Sequence, residues 1–296
     1  MPMFDFSLLT HDLEALERQL ETVGAGAVID EPSLNQLFCQ HLNSGGGRTR
    51  AMLALAAGRT IGLPDTVRFA IASSVELLHQ ASLIHDDIQD QDPMRRGQAS
   101  VWHTAGESAA ICLGDNLIAA AFEQLTALPD PYLAELPRLV VMLSRGVSVM
   151  AAGQTLDCQW KPTDAISYAD YEQIVRHKSG PLLGLPVALT LAVNGGTDNQ
   201  VTRILHGASS IGVAYQLADD FVDRDEDRDT RLNGFWVISS HLDNAHEAEH
   251  VLRERFEWHL QHARESVASL PSFCIDAFNV LIEALHRKYP SLQVAA

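Results

Sequence analysis

Six aspartates form the densest chemistry in this chain. Asp86, Asp87 and Asp90 stand in His-Asp-Asp-Ile-Gln-Asp, and Asp219, Asp220 and Asp223 in Gln-Leu-Ala-Asp-Asp-Phe-Val-Asp. The spacing Asp-Asp-x-x-Asp therefore occurs twice. On a helix, residues four apart share a face and lie roughly 6 Å apart. Asp86 then projects with Asp90, and Asp219 with Asp223, each pair having a third acid to one side. Close carboxylates repel one another and cost stability unless cations neutralise them. Mg²⁺ suits such a place, because it takes oxygen ligands, keeps waters and bridges carboxylates to phosphates. Alone, one cluster reads as a solvated helix end. The flanking residues argue against that: Ala81, Leu83 and Ile84 precede the first triad, and Ile211, Val213 and Leu217 the second.

Other groupings carry less by themselves. Arg95–Arg96 after Pro93 reads as a basic loop, and His79 on an apolar helix as a core histidine. His246 and His250 stand four apart among Glu247 and Glu249, which suits an exposed helix better than a metal site. Gly45–Gly47 is no phosphate-binding P-loop, since no Gly-Lys-Ser/Thr follows. Asp223, Asp225, Asp227 and Asp229 alternate like a calcium loop. Its sixth position is Arg228 and its twelfth Gly234, where Gly and Glu are required.

The elements that must position these residues read as helices. Apolar residues recur at helical spacing over 66–90, 113–128, 136–158, 168–193, 201–224, 244–268 and 272–288, after a first helix carrying Leu13, Leu16, Leu20 and Val23. Long period-two alternation is missing, so the fold class is all-α. Breaks fall at Gly45–Gly47, Pro64, Pro93, Pro129–Pro131, Pro162, Gly195–Gly196 and Pro271. No linker or low-complexity segment divides residues 1–296, which read as a single domain. Hydrophobic residues make up 46%, enough for a large core.

The net charge of −17 argues against nucleic acid and against a polybasic membrane anchor. Cys39, Cys112, Cys158 and Cys274 match neither a disulfide framework nor a zinc spacing. The opening residues lack a signal-peptide pattern. The apolar run Leu182–Val193, twelve residues with Pro186 inside, is too short to span a bilayer. These features predict a soluble cytoplasmic protein with no stable membrane insertion.

The order of motifs adds a resemblance. GGGRTR at 45–50, ELLHQ at 76–80, HDDIQD at 85–90 and RRG at 95–97 are followed by GD at 114–115. Next come GQTLD at 153–157, KSG at 178–180 and YQLADDFVD at 215–223. Over residues 43 to about 225 the chain resembles the trans-isoprenyl diphosphate (polyprenyl) synthase family. The resemblance implies a helical bundle around a central cavity, with the two clusters facing each other at its mouth. It implies about three Mg²⁺ per active site, isopentenyl and allylic diphosphates as substrates, and a homodimer. Asp86, Asp87, Asp90, Asp219 and Asp223 would hold the metals, with Asp220 in the catalytic group. Arg95 and Lys178 would contact the allylic diphosphate. Arg50, His79 and Arg96 would grip isopentenyl diphosphate, and Ser179 and Gln216 would line the reaction centre. Ala81, Ser82 and Leu78, small to medium residues before the first cluster, would set a product longer than fifteen carbons, twenty being the best fit.

Two departures stand out. The family's Gly-Gly-Lys lysine is replaced by Gly47, with Arg48 the nearest substitute. The segment after Asp223 lacks the family's lysines and offers only Arg224, Arg228 and Arg231. Each lost charge-assisted bond to a diphosphate costs about 1.5–3 kcal/mol. Alternatives are therefore a different acceptor, a regulatory partner subunit, or a class I terpene cyclase.

Overall fold

A computed structural model describes residues 9–23, 32–161, 165–242 and 244–293. The opening eight residues and Pro162 lie outside the described residues. Twelve α-helices are present among those described: α1 (Thr10–Val23), α2 (Pro32–Asn43), α3 (Thr49–Thr60), α4 (Asp65–Gln89), α5 (Val101–Ala105), α6 (Glu107–Gln124), α7 (Leu136–Gln159), α8 (Tyr168–Val193), α9 (Asp198–Val222), α10 (Gly234–Ser239), α11 (Ala245–Val267) and α12 (Ser272–Lys288). The sole described sheet is a hairpin, in which β1 (Met94–Arg95) pairs antiparallel with β2 (Gln98–Ala99). The fold is all-α.

The chain divides into two compact units. One comprises Ser144–Leu191 with the residues from Gly195 onward, and the other the residues up to Leu143 with Ala192–Asn194. In the earlier unit, α4 is the central element and packs against α3 and α6. Leu53, Leu55, Ile71 and Leu77 are fully buried there. Charge fixes one end of it: buried Arg68 donates to Asp12 at 2.6 Å, tying α1 to α4.

In the later unit, α9 packs on α11 and meets α12. A capping box of Thr197 and Gln200 starts α9, satisfying backbone donors that a helix start leaves open. Helices α8 and α9 approach closely because small residues line their crossing. A Cβ on Gly184 would lie 2.9 Å from Leu205 Cδ2, and one on Gly180 would collide with Ser209. Pro181 and Pro186 both lie inside α8, which runs unbroken through them.

One helix was not singled out by its apolar run. The segment Tyr132–Gln159 has a mean hydropathy of 1.4 over eighteen residues, long and apolar enough by composition to cross a bilayer, yet only 28% of that window is buried. Val140, Val141, Val149 and Leu156 of α7 are exposed.

Candidate active site

The two triads have the same local construction. Helices α4 and α9 each begin with an aspartate in the first turn, where the partial positive charge of the helix start favours it. Each ends at its third aspartate, which serves as C-cap. The Asp90 N–H donates to the Asp86 carbonyl at 2.8 Å, and the Asp223 N–H to the Asp219 carbonyl at 2.9 Å. In each triad the first acid is half-buried, the third is exposed and the middle one is buried. The six carboxylates are thus not equivalent.

The middle acids point into the protein. Asp87 Oδ1 accepts from Arg95 Nε at 2.7 Å and lies 2.5 Å from its NH2. Burial raises the Asp87 pKa against the pull of Arg95. Asp220 accepts from the Tyr171 hydroxyl at 2.6 Å, from Gln216 Nε2 at 2.8 Å and from the Gly234 N–H. Burial pushes its pKa up to about 7, opposed by these donors. Asp220 therefore ties α8 and α10 to the end of α9. Gln216, expected at the reaction centre, spends its amide on Asp220.

The outer acids are the less buried ones. Asp219 accepts from Lys288 Nζ at 3.2 Å and from the Tyr289 hydroxyl. Asp223 has a raised pKa, from desolvation and then from the neighbouring charges of Asp219, Asp227 and Glu226. Among the described residues, no three His, Cys, Asp or Glu side chains converge as a metal cage. Each triad instead offers two outer carboxylates. That suits Mg²⁺, which completes its shell with waters and phosphate oxygens. The Lys288 ammonium beside Asp219 shows that this carboxylate already faces a positive charge, and carboxylate oxygens are the donor type that Mg²⁺ takes.

The Arg-Arg-Gly motif is the tip of the hairpin. Arg96 and Gly97, its two loop residues, have φ of 52° and 79°. Two positive φ values match the type I′ turn that suits a two-residue loop. Arg95 is thereby aimed at Asp87, while Arg96 NH1 donates to the Gly45 carbonyl. Gly46, at φ 129°, leaves room for it: a Cβ there would lie 2.5 Å from the Arg96 guanidinium. Arg50 NH1 donates to His79 Nε2 at 3.1 Å. His79 is kept neutral, its pKa well below the usual value through burial and then the charges of Arg50, Arg96 and Arg95. Arg50, His79 and Arg96 thus belong to one basic neighbourhood with the glycine loop.

Arg48 does not take the place of the missing lysine. It is buried, with NH2 donating to the Leu42 carbonyl at 3.1 Å and NH1 3.7 Å from Glu76. Beneath it, Glu76 accepts from Gln80 at 2.6 Å, and Gln80 faces His41 at 2.9 Å. Arg224 and Arg228 do not fill the later gap either. Their guanidinium carbons lie 4.5 Å from the Phe221 and 4.6 Å from the Trp236 ring centroids.

Lys178 Nζ donates to Asp157 Oδ2 at 2.5 Å. A Cβ on Gly153 would lie 2.5 Å from the Lys178 backbone nitrogen, so the GQTLD glycine lets α7 approach the helix that carries Lys178. Ser179 is half-buried, its Cβ 3.1 Å from where a Gly212 side chain would begin. Similarly, His85 occupies the space beside Gly114. Ala81 and Leu78 are buried, while Ser82 is half-buried and donates to the His79 carbonyl at 2.8 Å. Sequence reasoning missed Tyr171, Lys288 and Tyr289. Asp157 lay inside a quoted motif, but Tyr171 and Tyr289 have no comparable signal.

Comparisons with known proteins identify the family. The polyprenyl synthetase family model matches residues 31–233. Geranylgeranyl pyrophosphate synthase 9, chloroplastic, of Arabidopsis thaliana is 32% identical over 233 residues, covering 74% of this chain and 63% of that relative. Farnesyl diphosphate synthase of Geobacillus stearothermophilus is 31% identical over 215 residues, 71% and 70% of the two chains. The fold matches a decaprenyl diphosphate synthase from Rhodobacter capsulatus with a TM-score of 0.80 at 21% identity, over 95% and 98% of the chains. The chain thus spans just under two thirds of the plant relative's length, and it belongs to the polyprenyl synthetase family.

Proposed function

We propose that this chain is a trans-prenyltransferase that condenses an allylic diphosphate with isopentenyl diphosphate, giving geranylgeranyl diphosphate. The carrying observation is the division of each triad into one buried anchor and two outer carboxylates. Asp86 and Asp90, with Asp219 and Asp223, are the proposed magnesium holders, about three ions in all. Asp87 joins them through Arg95, which it orients toward the allylic diphosphate. Bound magnesium supplies the positive charge that stabilises the departing diphosphate.

Arg95 and Lys178 would bind the allylic diphosphate and add fixed cationic charge where the leaving group develops its own. Its carbon–oxygen bond breaks, and both electrons leave with the diphosphate. The isopentenyl double bond, placed by Arg50, His79 and Arg96, attacks the resulting cation. A proton then passes to the released diphosphate. Neutral His79 adds no charge of its own and accepts from Arg50, which holds that guanidinium in place. Ser179 and Gln216 would line the centre. The two compact units would act as one catalytic domain in the cytoplasm.

The exposed apolar side of α7 supports a homodimer. Val141, Val149 and Leu156 recur eight and seven residues apart, which keeps them on one side of the helix. A second copy would cover them, and sedimentation equilibrium at twice the chain mass checks this.

The burial of Arg48 supports a second reading of the acceptor site. With no cation at Gly47, isopentenyl diphosphate is held by fewer charges, and a different acceptor is served. The test is the mass of the product from isopentenyl diphosphate, an allylic primer and Mg²⁺. A twenty-carbon diphosphate supports the first reading. No elongation, with release of diphosphate from the primer, supports another acceptor or a cyclase. No turnover of any primer by the isolated chain supports a partner-subunit role.

A further inference from the structure

Lys288 closes α12 with its ammonium 3.2 Å from Asp219 Oδ1 and 3.5 Å from the Tyr215 hydroxyl. It also lies 4.9 Å and 4.6 Å from the ring centroids of Tyr215 and Tyr289. The Tyr289 hydroxyl donates to the same carboxylate oxygen. This is not a frayed end. The Tyr289 N–H caps the helix on the Leu285 carbonyl at 2.9 Å, and Leu292 is fully buried just beyond. Packing fixes the backbone, while the Lys288 side chain keeps 54% of its surface exposed.

Composition adds an independent observation. Among twenty-one basic residues only three are lysines: Lys161, Lys178 and Lys288. Everywhere else the chain uses arginine. A lysine differs in being a compact point charge on a flexible four-carbon stem, able to follow a moving anion. Residues 224–240, where a lysine is missing, hold arginines stacked on aromatic rings.

We propose that Lys288 is a diphosphate ligand held in reserve: it neutralises Asp219 while no divalent cation is bound, and passes to a diphosphate oxygen when the cation takes that carboxylate. The argument is competition. An ammonium and a divalent cation cannot both lie against one carboxylate oxygen without repelling each other. The displaced ammonium remains beside the metal, where the incoming diphosphate brings the nearest negative charge. This rests on the reading of Asp219 as a metal holder for diphosphate chemistry.

Calorimetric titration of the full chain tests it, with Mg²⁺ alone and then with inorganic pyrophosphate at saturating Mg²⁺. Lys288→Met should bind Mg²⁺ alone about threefold or more tightly, its internal competitor gone, and pyrophosphate about tenfold more weakly. Tyr289→Phe removes a competing hydroxyl but no charge. It should tighten Mg²⁺ binding slightly and leave pyrophosphate affinity unchanged. Should Lys288→Met fail to fold, Lys288→Gln serves with the same expected signs. Unchanged or weaker Mg²⁺ affinity, or unchanged pyrophosphate affinity, in the lysine variant overturns the proposal while leaving the family chemistry intact. A parent chain that binds no pyrophosphate with Mg²⁺ overturns both.

Discussion

Arg95 closes on Asp87 with Nε at 2.7 Å and NH2 at 2.5 Å from one carboxylate oxygen, and the acid is buried. A buried charge loses far more than an exposed one when its partner goes, because nothing replaces the lost solvation. Asp87→Asn should therefore cost about 1.5–3 kcal/mol of stability. Asp86→Asn and Asp90→Asn should lower kcat about 100-fold or more. A thermal melt checks the first substitution and turnover assays the other two. An unchanged melting temperature for Asp87→Asn would refute its role as a buried anchor.

Gly47 offers a gain-of-function test. It is exposed, and an added Cβ would meet only Thr49 Oγ1, at 3.4 Å. A side chain is therefore admissible. Gly47→Lys restores a cation beside the basic neighbourhood and should lower KM for isopentenyl diphosphate about tenfold. KM for the allylic primer should not move. An unchanged isopentenyl KM would show that this edge of the loop does not face the acceptor.

Chain length should respond to Ala81, which is buried on α4. Ala81→Phe adds a ring to that position and should shorten the main product by at least one five-carbon unit. Mass spectrometry of the dephosphorylated products reads this directly, and an unaltered distribution would remove Ala81 from the product channel.

Gly153 should tolerate no side chain. Its Cβ would press on the Lys178 backbone, which cannot rotate away. Gly153→Ala should cost about 1–3 kcal/mol in a denaturant melt, with kcat falling as the Lys178–Asp157 pair shifts.

Stability should fall in acid through His259. Burial, with Arg176 and Arg255 nearby, lowers its pKa to about 3. Unfolded, it takes a proton near pH 6.5. Above that pH both states are neutral and the contribution is complete. Between about 6.5 and 3 the unfolded state binds more protons, so stability drops as pH falls. His259→Phe should shrink the difference between melting temperatures at pH 7.5 and pH 5. An undiminished difference would assign the acid sensitivity to other groups.

Much of this was legible in the residues. Helical periodicity located α8 at Tyr168–Val193 without error, because a long apolar pattern outweighs two prolines that neighbours can accommodate. The helices α2, α3, α5 and α10 were not foreseen. Helix α3 is apolar nearly all round and so lacks a one-sided pattern, and α5 and α10 span less than two turns. The pairing of outer aspartates followed from helical geometry. The fate of the middle ones did not, since Tyr171 reaches Asp220 across 49 residues of chain. Arg48 looked available because sequence does not show that Leu42 and Glu76 surround it.

The ends of α4 and α9 carry one more consequence. Each outer pair sits on a helix's last turn, where the backbone dipole adds negative potential to two carboxylates. Electrostatic stress is thus concentrated on the two turns proposed to do the chemistry. Divalent ions would relieve it and tighten those turns, so amide hydrogen exchange there should slow on magnesium binding more than anywhere else in either helix.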